Sequence, residues 1–179
     1  GLLRSPGLAK MARDSGLAVK FLGHPNLAEI IGLLDLPQFV ECVNYSDIRI
    51  QDELAGSAVV VSDFSSLVFD AAFAGSNVVH FQFDGDDIFK GGHVYRKGYF
   101  NYDLDGFGPR VTTPEDVVFE ISSMAENAFV RSTEYEERTR AAFRFWDSGS
   151  SQRVTEEIES LGRPWNYQIS TIKEVGVLK

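Results

Sequence analysis

Residues 58–75 read AVVVSDFSSLVFDAAFAG, and their order decides the fold class. Ala58–Ser62 is β-branched and apolar on both faces, the pattern of a strand covered on both sides, as in a parallel sheet. Ser65–Ala74 is apolar almost all round, so a buried helix is expected there. Gly75-Ser76-Asn77 stops that helix, and Val78–Phe83 returns as a further strand.

The same alternation extends to both sides. Upstream, Leu17–Gly23 (LAVKFLG) is a short apolar run. Asn26–Asp35 follows it with Leu27, Ile30, Ile31 and Leu34 at helical spacing, and Phe39–Val43 is a second strand candidate. Downstream, Thr113-Pro114-Glu115-Asp116 opens a helix with a capping hydroxyl, proline at the first position and acids in the first turn. Val117, Val118, Ile121, Met124 and Ala125 give that helix one apolar face. Glu134–Trp146 reads as a charged helix with Glu134/Arg138 and Glu136/Arg140 pairs. Ser150–Leu161 reads as another, with Val154, Ile158 and Leu161 turned inward. Strands alternating with helices imply an α/β fold: a Rossmann-like parallel sheet, right-handed crossovers and helices on both faces.

At 179 residues the chain has room for roughly one domain, expected over residues 1–162, with a tail at 163–179. Such a length buries about 70% of its unfolded surface, so no disulfide or metal is needed to hold a core. Seventeen basic against 26 acidic side chains leave a net charge of -9, the opposite of a nucleic-acid footprint, so no nucleic acid is expected as a partner. The single cysteine, Cys42, has no internal partner, and a reducing compartment follows as the default. No apolar run approaches the roughly 18 residues of a membrane span. The opening Gly1-Leu2-Leu3-Arg4-Ser5-Pro6 reads as a cut into a longer protein.

Ligands of parallel α/β sheets sit at the carboxyl ends of the strands, so the residues just past each strand carry the chemistry. Asp63-Phe64-Ser65-Ser66 closes the best strand and opens the best helix. Unpaired amides and the positive end of the helix dipole suit a phosphate there, and two hydroxyls add donors; the plainer reading is that Ser65 or Asp63 caps the helix. Asp70 lies four residues after Ser66 on the same helical face. In an apolar helix it is expected to be buried, which is costly unless it is paired or faces a polar site. His24, with Pro25 fixing the turn behind it, is placed at a strand end where it can bind phosphate or move a proton. His80 reads as a sheet or core residue, and His93, in Lys90-Gly91-Gly92-His93, as a loop residue able to touch a ligand. Arg153 falls in the first turn of its helix, where a cation opposes the dipole and calls for an anion.

Two patterns resemble metal sites. Asn101-Tyr102-Asp103-Leu104-Asp105-Gly106 copies the opening of a calcium loop, but the twelfth position is Thr112 and the ninth Pro109, so the ligand set fails. Asp84-Gly85-Asp86 is an acid-x-acid turn after a strand, as in metal-dependent nucleotide-sugar transferases. There is no Gly-Lys-Ser/Thr phosphate loop, no Gly-x-Gly-x-x-Gly, no Gly-x-Ser-x-Gly and no Cys-x-x-Cys.

Together these pieces resemble a known family. Ser62–Asp70 is similar to the Asp-aromatic-Ser-Ser-x-x-aromatic-Asp signature of the CDP-glycerol glycerophosphotransferases, the wall teichoic acid primases and polymerases. His24-Pro25 resembles the family's His-Pro after a strand. Tyr99–Arg110 resembles its aromatic-and-acid segment, with Phe107-Gly108-Pro109 where the family has Pro-Gly-Pro. Phe145–Val154 resembles its Phe…Asp-Gly…Ser-x-Arg-Val stretch. The likeness runs over residues 15–161.

The resemblance implies a nucleotide-binding domain that forms the C-terminal half of a GT-B type transferase, needing no metal or other cofactor. The whole protein would work in the cytoplasm at the inner face of the cell membrane, attached through an N-terminal half that is not in this chain. CDP-glycerol or a similar nucleotide would be the donor and a polyol phosphate the acceptor. His24 would contact the donor diphosphate or assist proton transfer, with Asp63 at the same corner as Ser65 and Ser66, which would hold phosphate. Asp70 would lie near the nucleotide, and Arg153 would offset negative charge. The chain alone would turn over little. Three other readings stand beside this one: a GT-B transferase using another activated sugar or polyol, a metal-dependent transferase using Asp84 and Asp86, and a non-catalytic nucleotide or phosphosugar sensor.

Overall fold

Hydroxyl-proline pairs start two of the helices. The computed structural model describes residues 1–85 apart from 25, 27 and 32, together with residues 98–161. In α1 (Pro6–Ser15) the Ser5 hydroxyl accepts from the Leu8 amide, and Gly16, at φ 67°, closes the last turn. In α5 (Pro114–Glu126) the Thr113 hydroxyl accepts from the Asp116 amide at 3.1 Å and donates to the Asp116 carboxylate at 2.6 Å. Ser5-Pro6 is thus the same signal as Thr113-Pro114, and it starts a helix absent from the sequence reading. A second such helix is α3 (Ile50–Gly56).

The strands are β1 (Val19–Leu22), β2 (Val40–Val43), β3 (Val59–Ser62), β4 (Asn77–Phe81) and β5 (Arg110–Val111). They form two parallel sheets among the described residues, β1-β2 and β3-β4-β5. Between β3 and β4 lies α4 (Leu67–Ala74), ended by Gly75 at φ 101°. Successive side chains of β4 point to opposite faces, and each face meets helices. Val79 packs with Leu8 and Met11 of α1 and with Val117 and Ile121 of α5. Val78 packs with Leu54 of α3, with Val68, Ala71 and Ala72 of α4, and with Phe107. Helices on both faces of a parallel sheet is the expected α/β architecture. Each fully buried valine here contributes about 2 kcal/mol.

The chain divides into two compact units, Gly1–Arg144 and Phe145–Lys179. The first includes α2 (Ala28–Ile31) and α6 (Thr133–Ala142), the second α7 (Ser150–Ser160). The tail 163–179 lies outside the described residues.

Three helix expectations need correction. Among the described residues of 26–35 the α-helix is the four-residue α2, and Ile30 and Leu34 are exposed instead of facing inward. Val154, Ile158 and Leu161 are 59%, 46% and 65% exposed, so helical spacing there marks a face without a cover in the described structure. The charged helix ends at Ala142 instead of Trp146. Phe143 leaves it in an extended conformation and packs against Phe69, Phe73 and Phe107, and burying that ring outweighs one more helical turn.

Arg131 ties the end of α4 to α6. Its guanidinium donates to the carbonyls of Ala72 (2.9 Å) and Ser76 (2.7 Å), to Glu136 (3.2 Å) and to the Thr139 hydroxyl (3.3 Å). A cation at the carbonyl end of a helix is favourable, and this one fixes the far end of the element whose near end opens the site.

Candidate functional site

The β3–α4 corner sits at the carboxyl edge of the three-stranded sheet. Ser62 ends β3, Asp63 and Phe64 bend, and α4 begins at Leu67. The Ser65 hydroxyl accepts from the Leu67 amide at 3.2 Å, so the plainer reading holds for its lone pair, while its proton remains available to donate. Ser66 makes no side-chain capping bond; its hydroxyl is exposed, as are Asp63 and Asp70. The expected burial of Asp70 is therefore overturned: in the first turn of so short a helix its side chain reaches solvent, and no burial cost singles it out.

A second segment walls this corner. Phe100, Phe107 and Phe143 pack on Phe69 of α4, with ring centroids 5.0, 4.9 and 6.4 Å away, and hold residues 98–109 against the helix. Gly108 lets that segment run along β4: a Cβ there would lie 1.7 Å from the Val78 carbonyl oxygen. Tyr102 then meets Phe64 edge-on at 5.6 Å and His80 at 5.0 Å. Burial, and then the negative charge of Asp63, push the Tyr102 phenol above its ordinary value, so that carboxylate and the phenol share the corner.

His80 is a sheet residue, as its setting in the sequence implies, and is fully buried. Burial lowers its pKa to about 4, so the ring is neutral at physiological pH. Tyr102 touches His80 and Arg110 pairs with it across the sheet, neighbours that its place in the sequence does not reveal. A partial signal existed: His80 and Gln82 alternate with Val79 and Phe81, as polar residues on one face of a strand would, and Asp84 follows in the turn after β4.

The other expected residues lie elsewhere. His24 follows β1, in the other sheet, and is exposed; its Nδ1 accepts from the Asn26 amide at 3.2 Å. Among the described residues no hydrogen bond or ion pair joins it to Asp63–Asp70. Arg153 belongs to the second unit. The anion its helix position calls for is Asp147, at 3.0 Å, and its guanidinium also lies over the Phe145 ring, 3.9 Å from the centroid. The Gly149 amide first and Arg153 second hold the Asp147 carboxyl below its ordinary value. Pro25, Asp86 and His93 lie outside the described residues. Among those described, no group of three or more His, Cys, Asp or Glu side chains is placed to hold a metal ion, and no helix is long and apolar enough to cross a membrane.

With this geometry in view, comparison with known proteins finds that residues 8–160 match the family described as CDP-glycerol:poly(glycerophosphate) glycerophosphotransferase. The chain belongs to that family. The minor teichoic acid biosynthesis protein GgaB of Bacillus subtilis (strain 168) is 23% identical to this family member over 160 residues, which is 89% of this chain and 17% of GgaB. Two structures of the wall teichoic acid polymerase TagF, one of them a histidine-to-alanine variant, share its fold. The variant gives a TM-score of 0.61 at 21% identity over 86% of this chain and 37% of that one. The other gives 0.59 at 23% identity, over 88% and 40%. The chain thus spans well under half the length of these relatives. Its Rossmann-like α/β arrangement is the fold they share.

Proposed function

We propose that this chain is the donor-binding half of a glycerophosphotransferase, which moves glycerol phosphate from CDP-glycerol to a teichoic-acid-type acceptor. It is read as the C-terminal half of a GT-B type enzyme, with the acceptor and membrane contacts in the remainder of the protein, at the inner face of the cell membrane. An acceptor hydroxyl oxygen bonds to the β-phosphorus, the bond from that phosphorus to the bridging oxygen breaks, and CMP leaves with the electron pair. The acceptor proton passes to a base, for which His24 is the candidate, or His24 contacts the diphosphate. Catalysis of this kind rests on positioning and charge neutralisation. Arg153 enters the reading as a further cation through the resemblance alone.

The observation that carries the proposal is the β3–α4 corner in a chain of this family. The Ser66 hydroxyl is exposed and caps nothing, Ser65 keeps a free proton, and the positive end of an eight-residue helix stands beside both. The test titrates the chain with CMP and CDP-glycerol. Ser66→Ala weakens CMP binding about fivefold, the equivalent of about 1 kcal/mol, with no change in melting temperature. Ser65→Ala loses the same affinity and also the Leu67 cap. Unchanged affinity in Ser66→Ala would overturn the assignment of phosphate to this corner.

A further inference from the structure

The register of the three-stranded sheet sets Ser62, His80 and Arg110 side by side, since Ser62 pairs with His80 and His80 with Arg110. Paired residues of parallel strands project to one face, and residues two apart on a strand share it. Val60 and Val78 begin that face against α3 and α4. One row further on, it turns polar. His80 is fully buried and Gln82 is 2% exposed. Both ring nitrogens of His80, Nε2 of Gln82, Oδ1 of Asp84 and Nε of Arg110 are buried and have no hydrogen-bond partner among the described residues. Groups left in that state are rare in native structures and call for a partner. Here they cluster at the end of β4, at Arg110 beside it in β5, and in the turn that follows β4, where the Gln82 backbone amide still bonds the Val111 carbonyl and the Gly85 amide closes back on Gln82, while the other such atom, Nε of Arg131, lies elsewhere.

Their chemistry narrows what that partner is. Neutral His80 offers one N–H and one lone pair. Gln82 and Arg110 add N–H donors, and Asp84 adds an acceptor. The Arg110 charge is already met by Asp103 at 2.9 Å. The set therefore mixes donors and acceptors with little net positive charge. A phosphate, which only accepts, would face the Asp84 oxygen. A hydroxyl group donates and accepts, and matches the mixture. The location fits as well. The row begins at Ser62, one residue before Asp63, and Tyr102 touches both His80 and Phe64. Gly106 keeps that turn low, because a Cβ there would lie 2.2 Å from the Tyr102 carbonyl oxygen and 3.3 Å from His80 Nε2.

We infer that His80, Gln82, Asp84 and Arg110 form a subsite for the hydroxyl groups of a polyol, adjoining the phosphate corner at Ser65 and Ser66; the inference rests on the functional reading above. The polyol is either that of the donor or the terminal unit of the acceptor, and the ligands used in the test tell them apart. CMP, CDP-glycerol, and glycerol 3-phosphate in the presence of saturating CMP are titrated into the wild-type chain and into Gln82→Leu, which replaces an unpartnered amide by an apolar group of similar size. Asp84→Asn, at the partly exposed end of the row, serves as a second variant should Gln82→Leu not fold.

The expected result for a donor polyol is that CDP-glycerol binds the wild type at least tenfold more tightly than CMP. The variants then cut that advantage to under threefold and leave CMP affinity unchanged. For an acceptor polyol, glycerol 3-phosphate alone loses at least fivefold. Equal losses for all three ligands, or no loss for any, would overturn the subsite. A wild type that binds neither nucleotide would instead remove the functional reading; glycerol 3-phosphate titrated without CMP then tests the polyol site alone, its loss in both variants supporting the site and its retention, or no binding to the wild type, overturning it.

Discussion

The buried imidazole of His80 makes the stability of this domain depend on pH between neutrality and pH 4. The ring is fully buried, and burial alone lowers its pKa from 6.5 to about 4. A group whose folded-state pKa is depressed binds its proton more readily in the unfolded chain. Its contribution is therefore present above pH 6.5 and is lost as the pH falls towards 4. Integrating the difference in bound protons gives a loss of about 2 kcal/mol between pH 7 and 5, and about 3 kcal/mol by pH 4. Tyr102, the titratable ring in contact with His80, is pushed above its ordinary value of 10 by burial and then by Asp63, and so lies outside that window. Carboxylates that titrate as the pH falls are common to wild type and variant and cancel in the comparison. Urea unfolding of the wild-type chain and of His80→Gln at pH 7, 6, 5 and 4 measures the effect. His80→Gln, which holds no titrating group, loses about 2 kcal/mol less than wild type from pH 7 to 5, whatever its stability at pH 7. Equal losses in the two proteins would show that His80 is not held neutral by the fold, and the argument from its burial would be wrong.

Two further substitutions test the framework around the corner. Gly108→Ala places a methyl group 1.7 Å from a backbone oxygen of β4, which no side-chain rotation relieves. A loss of about 3 kcal/mol or more is expected in urea unfolding, and a melting temperature within two degrees or so of wild type would refute the close approach of residues 107–109 to β4. Arg131→Met removes a 9% exposed guanidinium that satisfies the carbonyls of Ala72 and Ser76 and reaches Glu136 and Thr139. About 3 kcal/mol is expected to go with it; a loss under about 1 kcal/mol would mean that water replaces the guanidinium without cost.

Patterns that act over a few residues were legible in the chain itself. Val59–Val61, three β-branched residues in a row, read as a strand with both faces covered, and Thr113-Pro114 with the acids Glu115 and Asp116 behind it read as a helix start. Gly75 had to end α4, because a side chain is strained at its left-handed φ. The β3–α4 corner with Asp63, Ser65 and Ser66 followed from those elements by order alone. Contacts between distant segments decided the rest. Helical spacing names an apolar face but not its cover, so Val154 and Ile158 came out exposed, and Phe143 left its helix for rings that come from residues 69, 73 and 107. Asp70 kept its water because nothing in the spacing of α4 says which side the sheet takes. Whether His80 lies in solvent or in the interior depends on Tyr102, about 20 residues further along the chain, packing against its ring. Local propensity has no range over such a distance; only the packed structure tells a polar strand end at the surface from a group of buried donors and acceptors without partners.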